Sequence, residues 1–132
     1  MQIDLTPKEF RLLLDMVYIG NWVLNSTRGA DRFHEYDQLM SKIFALSPAL
    51  SRVEYGVVMP SEAYTHGGIH EAIAYYEDNV FYEILAEELA RRDMGYPEIT
   101  DDNYEEITGR MDQYMTEFQQ SGVDHLNLEE EE

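Results

Sequence analysis

The chain contains no cysteine, and only two of its nine basic residues are lysine. Without cysteine it has no disulfide, no thiolate metal ligand and no cysteine nucleophile, so packing alone must hold the fold together. The first five residues carry no export signal, and apolar runs such as residues 16–20 are far shorter than the ~20 residues that span a bilayer. We therefore expect a cytoplasmic protein.

Motifs that cradle phosphate or activate a nucleophile are also missing. The sequence has neither G-x-x-x-x-G-K-[ST] nor G-x-G-x-x-G, in which glycines let backbone amides approach a phosphate. It has no G-x-S-x-G elbow and none of the Glu-x-x-His pairs of di-iron bundles. No motif indicates an enzyme or a cofactor, and none identifies a family with a known activity.

The composition nevertheless predicts a folded domain. Of the 132 residues, 44% are hydrophobic and 12% are aromatic, well above the level of chains that stay disordered. A chain of this length can bury a sizeable core. We expect one domain over residues 1–128 and a frayed acidic tail over residues 129–132.

Negative charge is concentrated in the second half of the chain. Residues 1–66 hold eight acids and six bases, whereas residues 67–132 hold nineteen acids and three bases, within a net charge of −18. Such a surface repels phosphate backbones and anionic lipids and attracts basic proteins. The sequence thus predicts no direct nucleic-acid or membrane partner and favours a basic protein surface, although solubility or salt adaptation explains the same acidity.

The predicted fold is mainly α, with about five helices around a buried N-terminal helix and a minor two-stranded sheet. Thr6 and Glu9 form a capping-box pattern that begins a helix over residues 7 to about 24. That helix carries two apolar stripes, which predicts burial on two sides. The stripes are Phe10, Leu13, Leu14 and Val17, and Leu12, Met16, Ile19 and Val23.

Further helices are predicted over residues 31–46, 69–93 and 102–121, with a short turn after Pro48 and a brief strand at residues 55–59. Asp102 and Glu105 form a second capping-box pattern, and residues 78–79 are a candidate break. Polar and apolar residues alternate over residues 2–5 and 123–128. We expect these two segments to pair as a sheet that joins the termini.

Two histidines are the candidate metal ligands. His66 and His70 are four residues apart, the spacing that places two imidazoles on one helical face, and Glu71 follows them. Gly67 and Gly68 lie between them and interrupt such a turn, so one surface histidine in a loop and another near a helix start explain the pair better.

Ten tyrosines suggest a protein-binding surface, because tyrosine gives a large contact area at low entropic cost. The candidate partner-binding residues are Tyr55 and Tyr64, in the irregular stretch, and Tyr75, in a doublet whose members point in different directions. Other tyrosines fall on apolar stripes and are expected in the core.

The function favoured by the sequence is that of a small acidic interaction protein, an adaptor or modulator without enzymatic activity. One alternative is a metal-dependent or carboxylate-using enzyme with a site near His66 and His70. Another is a nucleic-acid mimic that inhibits a DNA- or RNA-binding protein by presenting carboxylates in place of phosphates. Whether the chain forms a homodimer stays open.

Overall fold

A computed structural model describes residues 1–129. Its elements follow one another as α1 Pro7–Asn25, α2 His34–Phe44, a 3-10 turn Pro48–Leu50, β1 Ser51–Glu54, β2 Val57–Pro60, the single turn α3 Glu62–Tyr64, a π-helical segment Thr65–Ile69, α4 His70–Asp93 and α5 Tyr104–Ser121. The protein is mainly helical, as predicted, with four helices longer than one turn among the described residues. The chain packs into two compact units, Met1–Ile73 and Ala74–Glu132.

Helix α1 begins where the sequence predicts. The backbone amide of Glu9 donates to the Thr6 hydroxyl at 3.1 Å, and the amide of Thr6 donates to the Glu9 carboxylate at 3.0 Å. These bonds satisfy two of the amides that a helix leaves unpaired at its start. Pro7 occupies the first turn, where its missing N–H costs nothing. The predicted capping box is confirmed.

The core of the first unit lies between α1, α2 and the start of α4. Its buried side chains are Leu14, Phe44, Tyr64, Ile69 and Ile73. The Phe44 and Tyr64 rings meet edge to face with centroids 5.0 Å apart, an arrangement that aromatic pairs prefer.

The predicted burial of α1 on two sides is wrong. One stripe reaches the core through Leu14, which is fully buried. The second stripe stays exposed, with exposed fractions from 37% to 72%: Leu12, Met16, Ile19 and Val23. The two stripes lie on different sides of the helix, and the elements of the first unit pack on one side only.

The small sheet is a local hairpin, so the predicted sheet between the termini is also wrong. Strands β1 and β2 pair antiparallel, with Ser51 opposite Pro60 and Glu54 opposite Val57. The two-residue loop has positive φ at both Tyr55 (51°) and Gly56 (78°), as a type I′ turn requires. Closing this turn costs far less chain entropy than joining segments separated by about 120 residues.

Neither terminal segment forms a strand in the described part of the chain. Ile3 and Leu128 are both exposed, and two paired strands without a covered apolar face are only marginally stable. Glu129 has no regular structure, and residues 130–132 of the predicted tail lie outside the described residues.

Helix α4 follows a bend at two glycines. Gly68 has φ of 109°, a backbone conformation that residues with a side chain rarely adopt, and Gly67 has φ of −87° and ψ of 16°. Beyond the bend α4 runs to Asp93 without interruption, so the candidate break at residues 78–79 does not occur. The helix ends in a Schellman motif, with the Tyr96 amide bonded to the Arg91 carbonyl at 2.7 Å and the Gly95 amide bonded to the Arg92 carbonyl at 3.0 Å.

In the second unit, α4 packs against α5. The Tyr82 and Phe118 ring centroids lie 5.4 Å apart, and the Tyr114 hydroxyl donates to the Asp93 carboxylate. That hydrogen bond, together with Arg92, lowers the pKa of Asp93. Asn103 precedes α5 in place of the predicted Asp102 cap, and its side chain bonds to the Thr100 amide and the Glu98 carbonyl.

No helix within residues 1–129 combines the length and the apolarity needed to cross a membrane. One domain over residues 1–128 stays a prediction.

Candidate functional site

His70 is held by aromatic neighbours from α1. Its Nε2 lies 2.7 Å from the Tyr18 hydroxyl, and its ring stands edge-on to Trp22 at a centroid distance of 4.9 Å. Burial raises the pKa of the Tyr18 phenol. The imidazole therefore fixes the start of α4 to α1, a packing role that accounts for its position.

His66 lies in the π-helical segment and is exposed. The two glycines between it and His70 depart from helical geometry, which removes the reason for expecting the two imidazoles on one face. Across residues 1–129, no three histidine, aspartate or glutamate side chains come close enough together to hold a metal ion. The metal site predicted at His66 and His70 gains no support from the geometry.

The three candidate tyrosines lie in different environments. Tyr55 is at the tip of the hairpin with 97% of its surface exposed, and Tyr75 is exposed on α4. Tyr64 is only 1% exposed and is not available to a partner, so its predicted place on a binding surface is corrected to a place in the core. The turn capped by Ser61 directs its ring into the core beside Phe44.

The buried Tyr64 side chain contacts two partly exposed polar residues of α1. Its hydroxyl donates to Asp15 at 2.8 Å, and the guanidinium of Arg11 lies 4.7 Å from the centre of its ring. Arg11 also pairs with Asp15 at 2.5 Å. Burial, followed by the bond to Asp15, raises the pKa of the Tyr64 phenol. The bond to Asp15 satisfies the one polar atom that the Tyr64 side chain brings into the core.

A cavity of about 370 Å³ opens in the first unit. Tyr18 and Trp22 form an aromatic wall, and two guanidinium groups, from Arg32 and Arg52, border it. Both cations are already paired, Arg32 with Asp37 at 2.8 Å and Arg52 with Glu54 at 3.0 Å. The lining adds the carboxylate of Glu62 and no imidazole, so it offers neither a net positive charge for an anion nor an acid–base pair.

Beside this cavity, a buried amide joins α1 to α2. Asn25 is fully buried, and its side chain accepts from the Phe33 amide at 2.8 Å and donates to the Phe33 carbonyl at 3.1 Å. Asn21 accepts from Asn25 at 2.7 Å and donates to Asp37 at 3.1 Å. The bidentate bond from Arg32 lowers the pKa of Asp37. These bonds make the region a rigid support for α2.

The second unit carries most of the negative charge. Ala74–Glu132 contains eighteen acids and three arginines, a net charge of −15, whereas Met1–Ile73 contains nine acids and six bases, a net charge of −3. Each arginine of the second unit has a carboxylate of its own unit within 4.0 Å: Arg91 with Glu88, Arg92 with Asp93, and Arg110 with Glu106. The remaining acids produce a strong negative field with no internal compensation.

An apolar surface lies within this acidic unit. It consists of Tyr76, Val80, Phe81 and Ile84 on α4, and we call it the α4 stripe. Three of these side chains, Tyr76, Phe81 and Ile84, are between 51% and 63% exposed. Tyr76, Val80 and Ile84 are four residues apart and Phe81 lies three before Ile84, so at about 100° per residue the four span an arc of about 140°. Glu83 lies at the edge of this arc beside Tyr76, and Glu77, Glu87 and Glu88 project from between its apolar residues.

Sequence reasoning missed the α4 stripe as a surface. Residues 76, 80 and 84 follow helical spacing, and that periodicity alone assigns them to the side that buries α4. The signal that could have identified them is the set of acids at positions 77, 83, 87 and 88, because a helix face packed into a core seldom has charges among its apolar residues.

Comparison of the chain with protein-family models, with curated proteins and with solved structures finds no match.

Proposed function

We propose that the chain is a non-enzymatic interaction protein that binds a basic protein surface through residues 74–129. The observation that carries the proposal is the α4 stripe, in which exposed Tyr76, Phe81 and Ile84 are interspersed with carboxylates. Such a surface offers a partner both apolar contact and opposite charge. It therefore favours a partner that presents apolar and basic side chains on the same face.

The two components of this surface have different roles. Large apolar side chains such as Tyr76 supply most of the affinity in protein interfaces when they are buried at the centre. Rim charges mainly accelerate encounter and select the partner by sign. Since the arginines of the unit are each paired with a neighbouring carboxylate, the field that a partner meets is negative.

A basic amphipathic helix fits this combination best. Such a helix can lay its apolar side along the α4 stripe while lysine or arginine side chains reach the acids among and beside its residues, Glu77, Glu83 and Glu88. Of the tyrosines predicted from sequence, Tyr75 lies next to the stripe in the chain, and Tyr55 lies in the other unit and is not needed. We place this interaction in the cytoplasm, as the lack of cysteine favours.

The experiment is capture of proteins from a cell lysate on the immobilised whole chain at low and high salt, about 50 mM and about 500 mM NaCl. A variant that combines Tyr76→Ser and Ile84→Ser removes the apolar part of the stripe without changing charge. Leu46→Ser is the matched control, since Leu46 is similarly exposed in the first unit. We expect a basic protein to be retained by the wild type and the control, lost with the stripe variant and released at high salt.

Retention that is the same for the stripe variant and the wild type would contradict the proposal. Competition by duplex DNA distinguishes the adaptor function from that of a nucleic-acid mimic. If DNA displaces the captured protein, the partner is a nucleic-acid-binding protein and the mimic is the better description. If the captured protein stays bound in the presence of DNA, the result supports the adaptor function.

A further inference from the structure

The exposed side of α1 has the residue pattern of a coiled-coil seam. Its apolar residues are Leu12, Met16, Ile19 and Val23, separated by four, three and four positions. This is the alternation of the d and a positions of a heptad, extended over two heptads. The same side carries few charges, and the small residue Gly20 at its edge has nothing within 4 Å of where a side chain would begin. A second helix can approach it closely.

The area of this seam is that of a weak but specific interface. At their exposed fractions of 37% to 72%, the four side chains present on the order of 400 Å² of apolar surface per copy. Homodimer interfaces are about 65% apolar, so a seam of this size implies roughly 600 Å² per copy and ~1,200 Å² in total. That total is at the lower end of specific interfaces, which predicts a reversible dimer.

We propose that the exposed side of α1 pairs antiparallel with the same side of α1 in a second copy of the chain. Leu12 then faces Val23 of the second copy, and Met16 faces Ile19 of the second copy. The arrangement is self-complementary, as a two-fold interface requires. The inference does not depend on the α4 stripe, which lies in the other unit.

Charge decides the orientation. Glu9 falls three residues before Leu12, at the a position that begins the seam, and its pKa is lowered by the hydrogen bonds with Thr6, so it is ionised. In a parallel pair the two Glu9 carboxylates would face each other at the interface, an unfavourable contact. In the antiparallel pair Glu9 lies opposite Ser26 of the other helix, close to Arg28, whose guanidinium donates to the Leu24 carbonyl at 2.9 Å, and the helix dipoles oppose each other favourably.

Charge also favours a second copy over a basic partner at this side. Lys8 and Glu9 are adjacent and of opposite sign, and the unit as a whole has a net charge of only −3. The −18 of each whole chain opposes association, and salt screens that repulsion. The dimer is therefore expected to tighten with salt, the reverse of the behaviour expected for a basic partner at the α4 stripe.

Sedimentation equilibrium of the whole chain from about 5 μM to about 500 μM measures this association. We expect the mass to rise from 15.4 kDa towards twice that value, with a lower dissociation constant at high salt than at low salt. Met16→Glu should raise the dissociation constant at least about tenfold, and the matched control Leu46→Glu should leave it unchanged. Circular dichroism of each variant confirms that the helices are retained. A monomer at every concentration, or equal effects of the two variants, would overturn the proposal.

The absence of cysteine allows the orientation to be tested separately. Single variants Leu12→Cys and Val23→Cys are oxidised alone and as an equimolar mixture. The antiparallel pair predicts a disulfide-linked dimer mainly in the mixture. Efficient cross-linking of either variant alone would show a parallel pair and overturn the assigned orientation.

Discussion

Replacing Tyr64 with phenylalanine tests the hydrogen bond from its buried ring to Asp15 of α1. The ring is 1% exposed, so the Tyr64→Phe variant keeps the packing against Phe44 and loses only the hydroxyl that donates to Asp15 at 2.8 Å. Hydrogen bonds to charged groups contribute about 1.5–3 kcal/mol. The Asp15 side chain is 34% exposed, so water can replace the lost hydroxyl as a hydrogen-bond donor to its carboxylate. We therefore expect the free energy of unfolding at pH 7 to fall by about 1.5 kcal/mol.

The same variant should change the response to alkali. Burial raises the pKa of Tyr64 in the folded chain above its unfolded value of about 10. The neutral phenol therefore stabilises the fold fully below about pH 10, and that contribution is lost as the pH rises above this value towards the folded pKa. In that window, titration of Tyr64 lowers the free energy of unfolding of the wild type by about 1.4 kcal/mol per pH unit, and the variant has no phenol at this position to titrate. The difference in free energy of unfolding between wild type and variant should therefore approach zero near about pH 11.

Urea unfolding followed by circular dichroism at pH 7 and at about pH 11 measures both effects. Tyr55→Phe is the matched control, because Tyr55 is 97% exposed and its replacement should change the free energy of unfolding by less than about 0.5 kcal/mol. A loss at pH 7 no larger than that of the control would refute the buried hydrogen bond. A difference that persists unchanged in alkali would refute the raised pKa.

Three further predictions concern stability and are checked by thermal unfolding. Asn25→Ala should cost about 2–4 kcal/mol, since the fully buried Asn25 side chain makes two hydrogen bonds, to the amide and the carbonyl of Phe33, and both are lost. Thr6→Ala should cost about 1 kcal/mol through loss of the cap, and Thr6→Ser should recover most of it. Gly68→Ala should cost about 1–2 kcal/mol because its φ is 109°, whereas helical Gly20→Ala should gain about 0.5–1 kcal/mol. Equal effects at the two glycines would contradict the assigned bend.

Features set by neighbouring residues were predictable from the sequence. The start of α1 follows from Thr6 and Glu9, and the end of α4 follows from Gly95 with φ of 79°. Both depend on hydrogen bonds within one or two turns of helix, so the residue types alone indicate them.

Features set by distant contacts were not predictable in the same way. The helical spacing of Met16 and Ile84 shows that each is on an apolar side, but periodicity does not reveal whether another element covers that side. The irregular stretch around Tyr64 predicts a surface position for it, and only the fold brings its ring next to Phe44. The predicted sheet between the termini was wrong for a related reason. Alternation of polar and apolar residues over four positions occurs equally in exposed extended chain.

Binding at the α4 stripe is tested most directly by mapping it in solution. The whole chain, labelled with ¹⁵N, is titrated with a peptide of about 18 residues made of leucine and lysine, in which the leucines follow helical spacing. We predict amide shift changes concentrated at residues 74–93 that are abolished by Tyr76→Ser with Ile84→Ser and reduced at high salt. Shift changes centred on the cavity beside Tyr18 and Trp22, or changes that the stripe variant leaves intact, would contradict the account.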